Sequence, residues 1–97
     1  MTTTVYLSGP MTGLPEFNHP AFNAAAATLR ERGYRVINPA EFAPPNDHPT
    51  HSDWMRVGIR ALCDADAIAF LPGARHSIGA QCERAVAKVL KLDEVKL

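Results

Sequence analysis

The stretch Ala65-Asp-Ala-Ile-Ala-Phe-Leu-Pro-Gly-Ala-Arg-His-Ser-Ile-Gly-Ala-Gln-Cys-Glu83 passes from an almost unbroken apolar run, through a Pro-Gly turn, into a helical pattern. An apolar run of this length fits a strand buried on both faces, as a central strand of a parallel sheet is. Pro72 and Gly73 close it, and Ser77 opens a helix that runs to Leu90, its core stripe expected at Ile78, Cys82, Ala85, Val86 and Val89. Strand, turn and helix in this order place Ser77, Gly79 and Glu83 beyond the carboxyl end of the strand, where open parallel sheets gather their ligands.

The segments on either side agree with a parallel α/β arrangement. Thr3 to Leu7 is a β-branched and aromatic run that reads as a first strand, followed by Ser8-Gly-Pro-Met-Thr-Gly-Leu-Pro15. Gly9 and Gly13 make this segment either a loop whose backbone approaches a ligand or a plain tight turn. Asn18 or His19 caps a helix with Pro20 in its first turn, Phe22, Ala25, Ala26 and Leu29 at helical spacing, and Gly33 at the left-handed position past its end. Tyr34 to Ile37 is a second strand, and the strand-helix-strand order implies a right-handed parallel unit. Residues 40 to 52, with three prolines, read as a loop that is either a lid or partner contact, or a solvated connection. Asp53 starts a helix carrying Trp54, Val57, Ala61 and Leu62. Residues 94 to 97 add a last short strand. The expected fold is a three-layer α/β domain of flavodoxin or Rossmann type spanning 1–97, with a mainly parallel sheet of four or five strands in the order 2-1-3-4 and helices on both faces.

Ninety-seven residues hold one modest core. A hydrophobic share of 46% and a formal net charge of zero supply no broad field for polymeric nucleic acid or a membrane surface, so an anion would have to be bound locally. The N-terminus lacks a basic start, and no apolar run approaches the roughly 18 residues of a spanning helix, so a cytoplasmic protein is expected. Cys63 and Cys82 share no ligand spacing and are expected as free, buried thiols. His48 and His51 with the nearby aspartates lack further ligands, so no metal is assigned, and no cofactor is expected.

The start of the last helix supplies free N–H groups and a positive dipole end, with the Ser77 hydroxyl beside them, which suits a phosphate or carboxylate. Helical side chains lean toward the N-terminus, carrying the Glu83 carboxylate over Gly79 and Ala80, where nothing bulky covers it. Glu83 is then either a nucleophile or general base at a cleft, or a first-turns carboxylate that favours the helix dipole. Of Asp64 and Asp66, one reads as a turn residue and the other as a carboxylate aimed into the crevice. Arg56 and Arg60, four apart, form either a solvated stripe or an anion clamp.

Tyr6-Leu-Ser-Gly-Pro-Met-Thr-Gly13, Cys63-Asp-Ala-Asp-Ala-Ile68 and Ser77-Ile-Gly-Ala-Gln-Cys-Glu83 together resemble the nucleoside 2-deoxyribosyltransferase-like superfamily, and within it the DUF4406 family common in phages and prophages. The resemblance covers nearly the whole chain. It implies that Glu83 attacks the anomeric carbon of a 2-deoxyribosyl group, forming a glycosyl-enzyme that passes to another base or to water. By the same resemblance Asp66 positions sugar and base, Ser77 binds a 5′-phosphate, Gly9 and Gly13 contact sugar or phosphate through backbone groups, and Tyr6 lies at the strand end near the pocket. Thr12 stands where the nucleotide hydrolases carry an arginine, so phosphate selectivity is weaker or comes from Arg75 or the Arg56 and Arg60 pair.

The expected function is cleavage or transfer of the N-glycosidic bond of a (deoxy)nucleoside or its 5′-monophosphate. The alternatives are a nucleotide-binding or sensor module without chemistry and a small interaction protein that uses the proline-rich loop. The expected partners are a small-molecule nucleoside or nucleotide and further copies of the chain, as a homodimer or higher oligomer, because a second copy would wall an open cleft on so small a domain.

Overall fold

Side-chain alternation along the first strand divides the molecule into its layers. In the computed structural model, which describes residues 2–97, β1 (Thr4–Ser8) sends Val5 and Leu7 to one face of the sheet and Tyr6 to the other. Against the first face packs α1 (His19–Glu31) through Phe22, Ala26 and Leu29. Against the second lie α2 (His51–Leu62) and α3 (Ile78–Val89), which bring Leu62 and Ala87 to Tyr6 and Ile68. Fully buried Leu7, Phe22 and Leu29 each contribute about 1.5–3 kcal/mol by leaving water.

The sheet is parallel throughout, in the order β2-β1-β3-β4, with β2 at Arg35–Ile37, β3 at Ala67–Phe70 and β4 at Asp93–Glu94. This is the expected α/β fold and strand order. Tyr6 pairs with Ile37 on one side and Ile68 on the other, while Ser8 pairs with Phe70. The first strand thus ends at Ser8, one residue beyond the sequence expectation, and the last strand lies at 93–94. Among the described residues, no helix is long and apolar enough to cross a membrane.

Helix boundaries follow local chemistry, with two corrections. Gly33 adopts φ +94° past the end of α1, as anticipated. Asn18, however, does not cap α1 with its side chain; it is left-handed, with φ 61°, and its Nδ2 donates to the Pro10 carbonyl at 2.9 Å. Glu16 and Phe17 before it are left-handed too, at φ 53° and 52°. The 40–52 loop is shorter than expected, because a 3-10 turn covers Pro39–Glu41 and α2 starts at His51. Its cap is Thr50, whose hydroxyl accepts from the Asp53 N–H while the Asp53 carboxylate accepts from the Thr50 N–H. Asp53 is therefore the third helical residue of a capping box rather than the start of the helix.

The last helix is rotated from most of its expected stripe, of which Val86 packs against the core. Ala80, Glu83 and Ala87 face inward, whereas Ile78 is 85% and Val89 80% exposed. Small residues at 80 and 87 let the helix approach the sheet closely, and Glu83 takes the inward position because its hydrogen-bond partners lie there. Cys82, on the outer face, and Cys63, which follows the last residue of α2, are free but exposed rather than buried.

Candidate active site

Glu83 ends up buried, at 8% exposure, although a carboxylate is costly to remove from water without partners. Period-two alternation supplies the partners, since Tyr6 and Ser8 project from the same face of β1 toward α3. The Tyr6 hydroxyl donates to Glu83 Oε2 at 2.5 Å, and the Ser8 hydroxyl donates to Glu83 Oε1 at 2.7 Å. Both carboxylate oxygens are thereby pinned by neutral donors.

The third element of the cluster is an absence of side chain. A Cβ on Gly58, in the middle of α2, would stand 2.8 Å from the Tyr6 hydroxyl and 3.0 Å from Glu83 Oε2. Only glycine lets α2 lie against the pair without displacing it. Burial pushes the Glu83 pKa up, while the hydrogen bonds from Tyr6 and Ser8 pull it part of the way back. Burial, then the charge and hydrogen bond of Glu83, drive the Tyr6 pKa far above the ordinary tyrosine value, so its phenol remains a donor.

Tyr6, Gly58 and Glu83 line a cavity of about 650 Å³, within the range typical of small-molecule sites of roughly 300–1,000 Å³. Phe17, Phe42, Trp54 and Met55 give it apolar walls, with His19 and His51 among its polar groups. Among the described residues, Glu83 is the only carboxylate that lines it. No group of three or more described His, Cys, Asp or Glu side chains is arranged to hold a metal ion.

Tyr6, Gly9, Ser77, Gly79 and Glu83 all line this cavity. Ser77 caps α3, its hydroxyl accepting from the Ala80 N–H at 3.2 Å. At Gly9 a Cβ would lie 2.9 Å from Leu71 Cβ, so packing against the end of β3 calls for glycine there. Gly13 does not reach the wall; it is an exposed turn residue with φ +83°. Asp66 is a correction to its expected place at the crevice. It precedes β3 at the amino edge of the sheet, where its carboxylate accepts from the Thr4 N–H at 2.9 Å, while the cavity lies at the carboxyl edge. Both Ser8 and Gly58 escaped the sequence reading. Extending the first strand by one residue would have aligned Ser8 with Tyr6, and a glycine inside a helical pattern is itself a sign of close approach.

No curated protein matches the chain in sequence. Among solved structures the chain is similar to one described as 2-desoxiribosyltransferase from Leishmania mexicana, at 17% identity and a TM-score of 0.72. The match covers 98% of this chain and 63% of that one, so the chain spans less than two thirds of that structure's length. The likeness is one of fold. A family model described as domain of unknown function, DUF4406, matches residues 3–96, and the sequence resemblance, the strand order and this match converge: the chain belongs to the DUF4406 family.

Proposed function

We propose that the protein cleaves or transfers the N-glycosidic bond of a (deoxy)nucleoside or nucleoside 5′-monophosphate, with Glu83 as the nucleophile. The observation that carries this reading is a single cavity carboxylate with both oxygens held, Oε2 by Tyr6 and Oε1 by Ser8. A carboxylate held in this way has little orientational freedom left to lose on reaching an attack geometry. In the first step a Glu83 oxygen bonds to the anomeric carbon, the carbon–nitrogen bond breaks, and its electron pair leaves with the base, which takes up a proton. In the second step water or an acceptor base displaces the carboxylate from the same carbon.

Retaining glycosidases pair their nucleophile with a second carboxyl group as acid and base. Here the wall holds one carboxylate, so proton transfer to the leaving base falls to a group other than a second carboxyl or to water, and His19 and His51 line the cavity. The fold likeness to a 2-desoxiribosyltransferase and the motifs named above support the same chemistry. A second reading, binding without turnover, is favoured by the burial that raises the Glu83 pKa and disfavours its charged form.

Base release measured by chromatography, over a panel of deoxynucleosides and monophosphates with and without an acceptor base, separates the two. Release that is abolished by Glu83→Ala supports the nucleophile, and release that survives the substitution refutes it. Tight binding with no turnover in any mixture supports the sensor reading. The proposal extends to self-association: α3 presents Ile78, Cys82 and Val89 outward, an apolar face that a second copy would cover.

A further inference from the structure

The cavity and the groove beside it attract opposite charges. In the cavity, Phe17, Phe42 and Trp54 supply aromatic faces, Glu83 is the one carboxylate, and among the described residues no lysine or arginine lines the wall. Aromatic faces carry negative potential and attract cations, as a carboxylate does. Burial disfavours the charged form of Glu83, and a cation bound beside it would favour that form again. The cavity therefore suits a positively charged ring.

The groove has the reverse character. Its volume is about 490 Å³, Arg56 and Arg60 line it, and among the described residues no carboxylate does. The two arginines lie one turn apart on α2, both exposed, and among the described residues neither forms an ion pair. Their guanidinium groups match a phosphate with paired N–H donors. Groove and cavity adjoin, because His51, Met55 and Gly79 line both. A Cβ on Gly79 would stand 3.1 Å from the Met55 sulfur, so glycine keeps the junction from narrowing.

A ligand that spans the two carries a cation at one end and an anion at the other. A nucleotide whose base is a cationic heterocycle, a pyridinium or an N7-alkylated purine, has this distribution. Its chemistry also suits a wall with no second carboxyl group to protonate the leaving base. As a Glu83 oxygen bonds to the anomeric carbon and the carbon–nitrogen bond breaks, the electron pair cancels the positive charge of the ring. The neutral base departs without taking up a proton. Water then bonds to the same carbon, the carboxylate leaves with the electron pair of the ester bond, and the surplus proton of the water passes to solvent.

We propose that the protein hydrolyses the N-glycosidic bond of a nucleotide with a cationic base, the ring lying in the aromatic cavity beside Glu83 and the phosphate on Arg56 and Arg60. The inference rests on the glycosidic reading of Glu83.

The probes are nicotinamide mononucleotide and 7-methylguanosine 5′-monophosphate, with base release followed by chromatography. Release from at least one of them is expected, abolished by Glu83→Gln, and which one identifies the ring. Each has a neutral counterpart of the same shape, the reduced dihydronicotinamide mononucleotide and guanosine 5′-monophosphate. The counterpart of the better substrate, tested as a competitive inhibitor, should bind at least about 10-fold more weakly, or about 1.4 kcal/mol. Removing the phosphate from that substrate should lower kcat/KM at least about 10-fold, and the double variant Arg56→Ala/Arg60→Ala should bring the nucleotide down toward the nucleoside. Equal binding of the neutral counterpart, or equal turnover without the phosphate, overturns the inference. Base release from deoxynucleosides with none from either cationic nucleotide overturns it too but leaves the glycosidic reading standing, whereas release from neither set overturns both.

Discussion

Replacing Gly58 with alanine sets two effects of opposite sign against each other. Inside a helix the change is worth about 1 kcal/mol in favour of alanine. Its Cβ would however stand 2.8 Å from the Tyr6 hydroxyl and 3.0 Å from Glu83 Oε2, closer than such contacts are tolerated. Both neighbours are buried, and overpacking of this kind costs about 1–3 kcal/mol. The net change in stability is therefore between about zero and 2 kcal/mol of loss, a fall in Tm of up to about 16 °C at roughly 4–8 °C per kcal/mol. Activity should suffer more, since a misplacement of about 1 Å at a reacting group costs on the order of 100-fold. Thermal unfolding followed by circular dichroism, beside base release at a temperature where the variant is folded, reads both quantities. A variant with full base release would refute the role given to the contact among Gly58, Tyr6 and Glu83.

Ser8→Ala removes the donor to Glu83 Oε1, and a hydrogen bond to a charged group is worth about 1.5–3 kcal/mol. Base release should fall about 10- to 100-fold, and the acid limb of its pH profile should move to higher pH, because this hydrogen bond lowers the Glu83 pKa; an unmoved limb counts against the assignment. The pKa of Glu83 is raised in the folded protein, so the folded state holds its proton more tightly than the unfolded chain. Stability from this group is full below the ordinary value of 4.5 and is lost as pH rises through the folded pKa. Glu83→Gln should accordingly raise Tm above that window and gain least below it, as thermal scans across pH would show. Ile78→Asp, at an 85% exposed position, should change stability by no more than about 0.5 kcal/mol yet convert an oligomer to monomer in size-exclusion chromatography with light scattering. A wild-type chain that elutes as a monomer would remove the basis for self-association.

The sheet was legible because its signals are local. The apolar run before Pro72, the first-strand run ending near Ser8, and Gly33 each mark a boundary by composition alone, and right-handed crossovers then restrict the strand order. The face that α3 buries was not legible. Ile78, Cys82 and Val89 form the more apolar stripe, but the helix turns Glu83 inward to hydroxyls on a strand far away in the chain. Tertiary hydrogen bonds outweigh hydrophobic periodicity there. Asp66 was misplaced for a related reason: spacing puts an aspartate at the mouth of a strand without showing that the Thr4 N–H waits beside it. Thr50 was hidden by the prolines around it, although the Thr-x-x-Asp spacing of a capping box was present.

Tyr6 and Glu83 are separated by 77 positions in a chain of 97. Their hydrogen bond closes a loop that spans most of the polypeptide, and the entropic cost of closure grows with loop length. The backbone hydrogen bonds of α1 and α2 close within their own turns, while the carboxylate meets its donors only when the final helix docks on the first strand. No fragment lacking either end contains the three-residue cluster of Tyr6, Ser8 and Glu83. Whatever chemistry the cluster performs is consequently all-or-none with respect to the chain, and its appearance during refolding marks the closing of this long-range contact rather than the return of helix.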